Sequence, residues 1–170
     1  MIDVDTGEIN FISTPDFENP ADAGGDNVYD IIVTASDGTN STDQAVAITV
    51  SDLNDNSPVF TSGATITVVE NIEGVVHTAV ATDEDAGTTL TYTRGGRDSS
   101  SFTIDASTGE LRFSSPPDFE NPGDRDGDNV FSIIVRATDG TNTTSQVLSI
   151  TVTDVPDPIL IDLSLSLIHI

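Results

Sequence analysis

The chain is expected to be all-β: a seven-stranded antiparallel Greek-key sandwich, present in tandem with the first copy truncated. Three observations carry that expectation. Short stretches rich in β-branched residues alternate polar and apolar side chains, and Gly, Asp and Asn punctuate them at short spacing. No stretch shows helical periodicity. The sequence also repeats itself: residues 2–56 align without a gap on 104–158, an offset of 102, with 33 of 55 positions identical. A unit of about 100 residues is too long for a solenoid turn and suits a tandem domain. Residues 1–56 therefore read as the C-terminal half of one unit, 57–157 as a complete unit, and 158–170 as a tail.

In chain order, the first copy offers strands near 8–13, 28–36 and 44–51, without the partners that would cover them. In the complete copy, Thr65–Val69 and Val75–Val80 alternate cleanly, as do Thr89–Tyr92, Phe102–Ile104 and Glu110–Phe113. Val130–Arg136 and Gln146–Val152 complete the seven candidate strands. Seven segments of this kind can close two sheets over one core. The tail Ile159–Ile170 alternates and reads as the first strand of a further repeat. Its last six residues, Leu165 to Ile170, also resemble the conceptual translation of a sequencing-library adapter, in which case they are non-native.

Charge narrows the function classes. Twenty-nine acidic residues face 5 basic ones, all Arg, for a formal net charge of −24. Nucleic acid and anionic membrane surfaces are excluded as partners, because both are held by Lys and Arg. Cysteine is absent, so disulfide and thiolate chemistry are out. No apolar run approaches the roughly 20 residues of a membrane-spanning helix, so direct membrane insertion of this stretch is not expected. An enzyme is not expected either. His77 is the only histidine before the tail and alternates with apolar residues on a strand, and no nucleophile elbow, phosphate loop or zinc motif is present.

The acidic residues are placed differently. Asp52-Leu53-Asn54-Asp55-Asn56-Ser57-Pro58 joins the two copies and is dense in oxygen ligands with no base beside them. It reads as an Asx-rich turn, or as part of a hard-cation site that needs six to eight oxygens, some from far away in sequence. Asp83 and Asp85 follow the second strand and point the same way. Asp139 follows the sixth, in an Asp-Gly hairpin signal. In such a sandwich both strand ends lie at the pole of the incoming linker. Asp16 and Glu18 face that linker from the first copy. Asp124, Asp126 and Asp128 form an Asp-x-Asp-x-Asp loop that is either one more cation loop or a solvated acidic turn.

Six motifs run in one order: Asp52-x-Asn54-Asp55-Asn56-x-Pro58-x-Phe60, Val69-Glu70-Asn71, Ala81-x-Asp83-x-Asp85-x-Gly87, Ile104-Asp105-x-x-Thr108-Gly109-Glu110-Leu111, Pro117-Asp118-Phe119-Glu120 and Ala137-Thr138-Asp139-Gly140. Together they resemble cadherin repeats, of the bacterial kind, and cover nearly all of residues 2–157. The resemblance implies an immunoglobulin-like sandwich, Ca2+ at the junctions between repeats, rod-like arrays, and adhesion or display at the cell surface or outside the cell. The partners it implies are other cadherin-like repeats in the same chain, and like or unlike surface proteins or glycans. It further implies an outer ion held by Asp16, Glu18 and Asp55. A middle ion would be held by Glu18, Asp55, Asp85 and the Leu53 carbonyl, and an inner one by Asn54, the Asn56 carbonyl, Asp83, Asp85 and Asp139. Asp52 belongs to the same junction. Glu70, Asp118, Glu120 and Asp157 would form a half-site at the next junction, where Asp154-Val155-Pro156-Asp157-Pro158 lacks both asparagines. The first copy has lost its counterpart of Glu70, which removes a ligand from the outer and middle sites, and the loop Gly87-Thr88-Thr89 is shorter than the family's, which leaves one carbonyl ligand unassigned. A different class also fits a secreted sandwich, a carbohydrate-binding module attached to a polysaccharide-degrading enzyme. Sugar platforms use exposed aromatics, and this chain has no Trp, 2 Tyr and 7 Phe, most of them at strand or motif positions.

Overall fold

The computed structural model describes residues 1–157, so both readings of the tail lie outside the described residues. All the regular structure in it is strand apart from one 3₁₀ turn, Ser99–Ser101. The first copy contributes a long antiparallel hairpin, β1 (Val28–Ser36) with β2 (Ser41–Thr49). The segment 8–13, expected as a strand, makes only an isolated bridge between Ile2 and Ile9. Its counterpart in the complete copy is flanked by a strand on each side, whereas here, among the described residues, the bridge from Ile2 stands for one flank and no strand stands for the other.

Nine strands follow: β3 (Val59–Phe60), β4 (Thr65–Val69), β5 (Val75–Thr78), β6 (Ala81–Thr82), β7 (Thr91–Gly95), β8 (Phe102–Ile104), β9 (Glu110–Phe113), β10 (Val130–Thr138) and β11 (Thr143–Thr153). They form a four-stranded sheet in the order β4-β11-β10-β7 and a three-stranded one in the order β5-β9-β8, with β3 and β6 as a short pair beside them. The chain changes sheet between β7 and β8 and again between β9 and β10, the crossing pattern of a sandwich.

Two expectations are corrected. Nine strands stand where seven were expected, because β3 and β6 form a short pair outside the seven segments, one ahead of the first and the other just after the second. The second is bulged between Val75 and His77 and keeps its partner as far as the Ala79 N–H, which donates to the Gly109 carbonyl (3.0 Å), before the Val80 carbonyl accepts from the Thr61 N–H (2.9 Å). The sandwich is also not wholly antiparallel: β4 runs parallel to β11, from Thr65↔Ser149 to Val69↔Thr153. The chain crosses to the far sheet after Ser62-Gly63-Ala64 and covers the edge of its last strand, which would otherwise present unpaired N–H and C=O groups.

Alternation explains the core. Phe131, Ile133, Val135 and Ala137 of β10 point inward and are at most 2% exposed, as are Leu148, Ile150 and Val152 of β11. Phe102 and Leu111 meet them from the other sheet, fully buried. The rings of Phe102, Phe113 and Phe131 lie 4.3 to 5.5 Å apart, mostly edge to face. Gly109 is required where it stands: its φ is +71°, and a Cβ would sit 2.2 Å from the Ala79 carbonyl oxygen.

Candidate metal centre

The linker is drawn onto the complete sandwich by polar groups that are sequence-distant. Asp85, 4% exposed, accepts hydrogen bonds from the Asn56 backbone N–H and side-chain amide, both at 3.1 Å. Asp52 accepts the Ala86 N–H at 2.9 Å. Pro58, fully buried, fixes the exit into β3. The end of β6 then places Asp83 and Asp85, and the end of β10 places Asp139, at the same pole as the linker.

The carboxylates converge in two groups that share one member. Oxygens of Glu18, Asp55 and Asp85 lie within 4.8 Å of one another, and so do those of Asp83, Asp85 and Asp139. Asp16 stands just outside: its Oδ1 caps its own loop, accepting the N–H groups of Glu18 and Asn19 at 3.1 Å. A cleft of about 520 Å³ runs between the copies, lined by Asp16, Glu18, Leu53, Asp55 and Asn56 among others. Leu53 itself is exposed at this rim.

Four carboxylate oxygens at this junction are completely buried and accept nothing: Glu18 Oε1, Asp52 Oδ1, Asp83 Oδ2 and Asp139 Oδ2. A buried anion without a partner is costly, and most buried polar atoms in proteins are paired. The electrostatics agree. The Glu18 carboxyl is pushed above its ordinary value, first by burial and then by Asp52 and Asp85, against its own backbone N–H. Burial also pushes Asp139 up, yet the N–H groups of Asn142 and Thr141 outweigh it and hold the carboxyl below its ordinary value. Oxygen-only, anionic and short of partners, this donor set suits a hard divalent cation such as Ca2+ and not a soft metal.

The next junction is different. Glu70, 4% exposed, groups with Glu120 and Asp154. Its two oxygens are already satisfied, by the Phe119 N–H at 3.0 Å and the Val155 N–H at 2.7 Å, and these bonds hold the carboxyl below its ordinary value. Glu120 is raised despite its own backbone N–H, by burial and by Glu70, Asp154 and Asp157. Of the four residues expected there, Asp118 instead caps its loop through the Asn121 N–H (3.0 Å). Asp154 is the member that motif reading missed, although its place 102 residues after Asp52 marked it.

The third acidic stretch is accounted for by its own loop. Asp124, Asp126 and Asp128 approach within 4.8 Å. Asp124 accepts three backbone N–H groups, from Gly127, Asp128 and Asn129, and these outweigh burial to hold its carboxyl low. Asp128 accepts the Val130 N–H, and Asp126 is ion-paired with Arg97. The first copy repeats the arrangement, with Asp22 accepting the N–H groups of Asp26 and Asn27.

An all-β sandwich entered through a carboxylate-lined linker defines a class of extracellular repeat. No protein-family model matches the chain. Among curated proteins, it is 38% identical to the Drosophila melanogaster protein dachsous over 116 residues, covering 65% of this chain and 3% of that one. It is also 38% identical to human protocadherin Fat 4 over 117 residues, 66% of this chain and 2% of that one. The chain thus spans a few hundredths of the length of these relatives. Among solved structures, mouse cadherin-23 EC22-24 superposes with a TM-score of 0.67 at 27% identity, over 91% of this chain and 49% of that one. The chain belongs to the cadherin-like repeats. Such repeats place it outside the cell or at its surface.

Proposed function

We propose that this chain is a calcium-binding adhesion and spacer module of a large surface or secreted protein, in which Ca2+ stiffens the junction around the linker Asp52–Pro58. The four buried, unpartnered carboxylate oxygens carry the reading, because no donor among the described residues reaches them. Glu18, Asp55 and Asp85 would hold one ion, and Asp83, Asp85 and Asp139 a second with Asn54 and the Asn56 carbonyl. Each close pair of carboxylates repels by about 1–4 kcal/mol, depending on the effective dielectric. Without divalent cations the first hairpin therefore swings away from the linker. With them, Asp85 is shared and the angle is fixed. Its partners are other repeats, in this chain and in like or unlike surface proteins. The half-site at Glu70, Glu120 and Asp154 contributes less, since Glu70 is occupied by backbone N–H groups.

The carbohydrate-binding reading has less support. Phe102 and Phe131 are buried, and Phe60, Phe113 and Phe119 pack against the same core, leaving no aromatic platform among the described residues of 57–157.

Asp55→Ala tests the proposal against Ser57→Ala, both in the 170-residue chain. Asp55→Ala lowers Ca2+ affinity in a calorimetric titration and loosens the chain in small-angle scattering, while the fold of 57–157 survives because Asp55 is exposed and outside the core. Ser57→Ala changes neither measurement. If both variants keep the parent's affinity and extension, the junction is a turn and nothing more.

A further inference from the structure

Asn142 closes the turn between β10 and β11, and no motif assigns it a role. Its backbone is pinned by three hydrogen bonds. Its N–H donates to Asp139 Oδ1 (2.6 Å), and its carbonyl accepts from Thr138 Oγ1 (2.7 Å) and the Asp139 N–H (3.3 Å). From that base its side-chain amide reaches a residue 86 positions back in the chain, donating to the Asn56 carbonyl at 2.5 Å and, less closely, to Asn54 Oδ1 at 3.5 Å. The amide sits this way round for a chemical reason: reversed, its oxygen would face two acceptors.

Both acceptors are the neutral oxygens expected to face the innermost ion. The same turn also aims Asp139. Thr141 and Asn142 fill its Oδ1, which leaves Oδ2 buried and without a partner beside Asp83 and Asp85. One turn thus fixes a carboxylate of the cluster and the linker atoms that complete it.

We propose that Asn142 is a positioning residue, a clip that holds Asn54 and Asn56 of the linker in register with Asp83, Asp85 and Asp139 before any cation arrives. The inference rests on the calcium reading of the junction for its purpose. A carbonyl oxygen has two lone pairs, so Asn56 accepts the amide and still presents an oxygen to a cation. A neutral donor suits the place, because it anchors the linker without adding to the crowd of negative charge. The turn does not depend on the clip: in the first copy the Asn40 N–H likewise donates to Asp37 Oδ1, at 2.7 Å. Removing the Asn142 side chain therefore leaves the backbone of the hairpin intact.

The experiment uses the 170-residue chain with Asn142→Ala, Asn142→Asp and, as a control, the exposed Thr141→Ala. Hydrogen exchange of the linker amides is followed in chelator, and Ca2+ binding by calorimetry. Asn142→Ala and Asn142→Asp, both lacking the amide donor, speed linker exchange in chelator about fivefold. Asn142→Ala also weakens Ca2+ binding about tenfold, the usual effect of losing a group that orients a ligand. Thr141→Ala alters neither. Unchanged linker exchange in Asn142→Ala overturns the clip, even if affinity falls, since Asn142 would then act on the ion directly. If the unsubstituted chain takes up no Ca2+, the calcium reading fails by itself, and linker exchange in chelator still decides the clip.

Discussion

Ile133 and Ile31 stand at the same place in two copies of one hairpin, yet the first is fully buried and the second only half-buried. The same holds along the strand: Ala137 is buried and Ala35 exposed, and Ile32 is 71% exposed. Backbone pairing is identical, with nine residue pairs in each hairpin running from Val28↔Thr49 and from Val130↔Thr151. Sequence and ladder therefore specify the hairpin, and the opposing sheet alone specifies the core. Phe102 and Leu111 supply that sheet in residues 57–157. Among the described residues no sheet lies across β1 and β2 in its place; Phe11 meets Tyr29 edge to face at 5.0 Å, and Met1, Ile9, Phe11, Tyr29, Ile31 and Ile48 line an open apolar groove.

The comparison is broken most directly in the core. Ile133→Ala is expected to lower the stability of residues 57–157 by about 2–5 kcal/mol in chemical denaturation, because it leaves a cavity between two sheets. Ile31→Ala costs less than about 1 kcal/mol, since water already reaches its surroundings. Equal costs would mean that the first hairpin is covered after all.

The acidic loops sharpen the contrast at a smaller scale. Asp124→Ala removes a buried carboxylate that satisfies three N–H groups of its loop and costs about 1–3 kcal/mol, measured by thermal melting. Asp22→Ala, at the half-buried counterpart that accepts two N–H groups, moves the melt less. Because Asp124 is held low when folded, its contribution is full at neutral pH and above. It fades as the pH falls below the ordinary carboxylate range.

The smallest effect differs in sign between the two junctions. In chelator, Glu70→Gln lowers the melting temperature, because it weakens the acceptor for Phe119 and Val155. Glu18→Gln leaves it unchanged or raises it, because it removes repulsion with Asp52 and Asp85. The pH dependence follows the same signs. Glu18 is raised when folded, so its contribution is full below the ordinary glutamate value and is lost as the pH rises through the raised one. Glu70 is depressed, so its contribution is present above the ordinary value and is lost as the pH falls through the depressed one. A loss of melting temperature in both variants would mean that Glu18 has a partner in solution.

Much of this was legible in the order of residues. Val130–Arg136 was expected as a strand and is β10, where every second side chain is buried as period 2 requires. Asp83, Asp85 and Asp139 converge as their strand ends required. The two-residue strands β3 and β6 were not legible, because two residues carry no period. The parallel partner of β4 was hidden as well: its alternation suits either sheet, and the choice is made by an edge left open by β11, some 80 residues on. Asn142 escaped for a related reason. Its turn was marked by Asp139-Gly140, but nothing local says that its amide reaches Asn56.

The parallel pairing of β4 with β11 bears on how such a unit carries force. After the short strand β3 the chain joins the four-stranded sheet at the start of β4, and it leaves that sheet at the end of β11, just ahead of Asp154. Tension between those two points pulls neighbouring strands in opposite directions along their length. The five pairs from Thr65↔Ser149 to Val69↔Thr153 are then loaded together in shear and do not peel one at a time. Were such units joined end to end, tension would pass through one short ladder in each, and that ladder would yield as a whole.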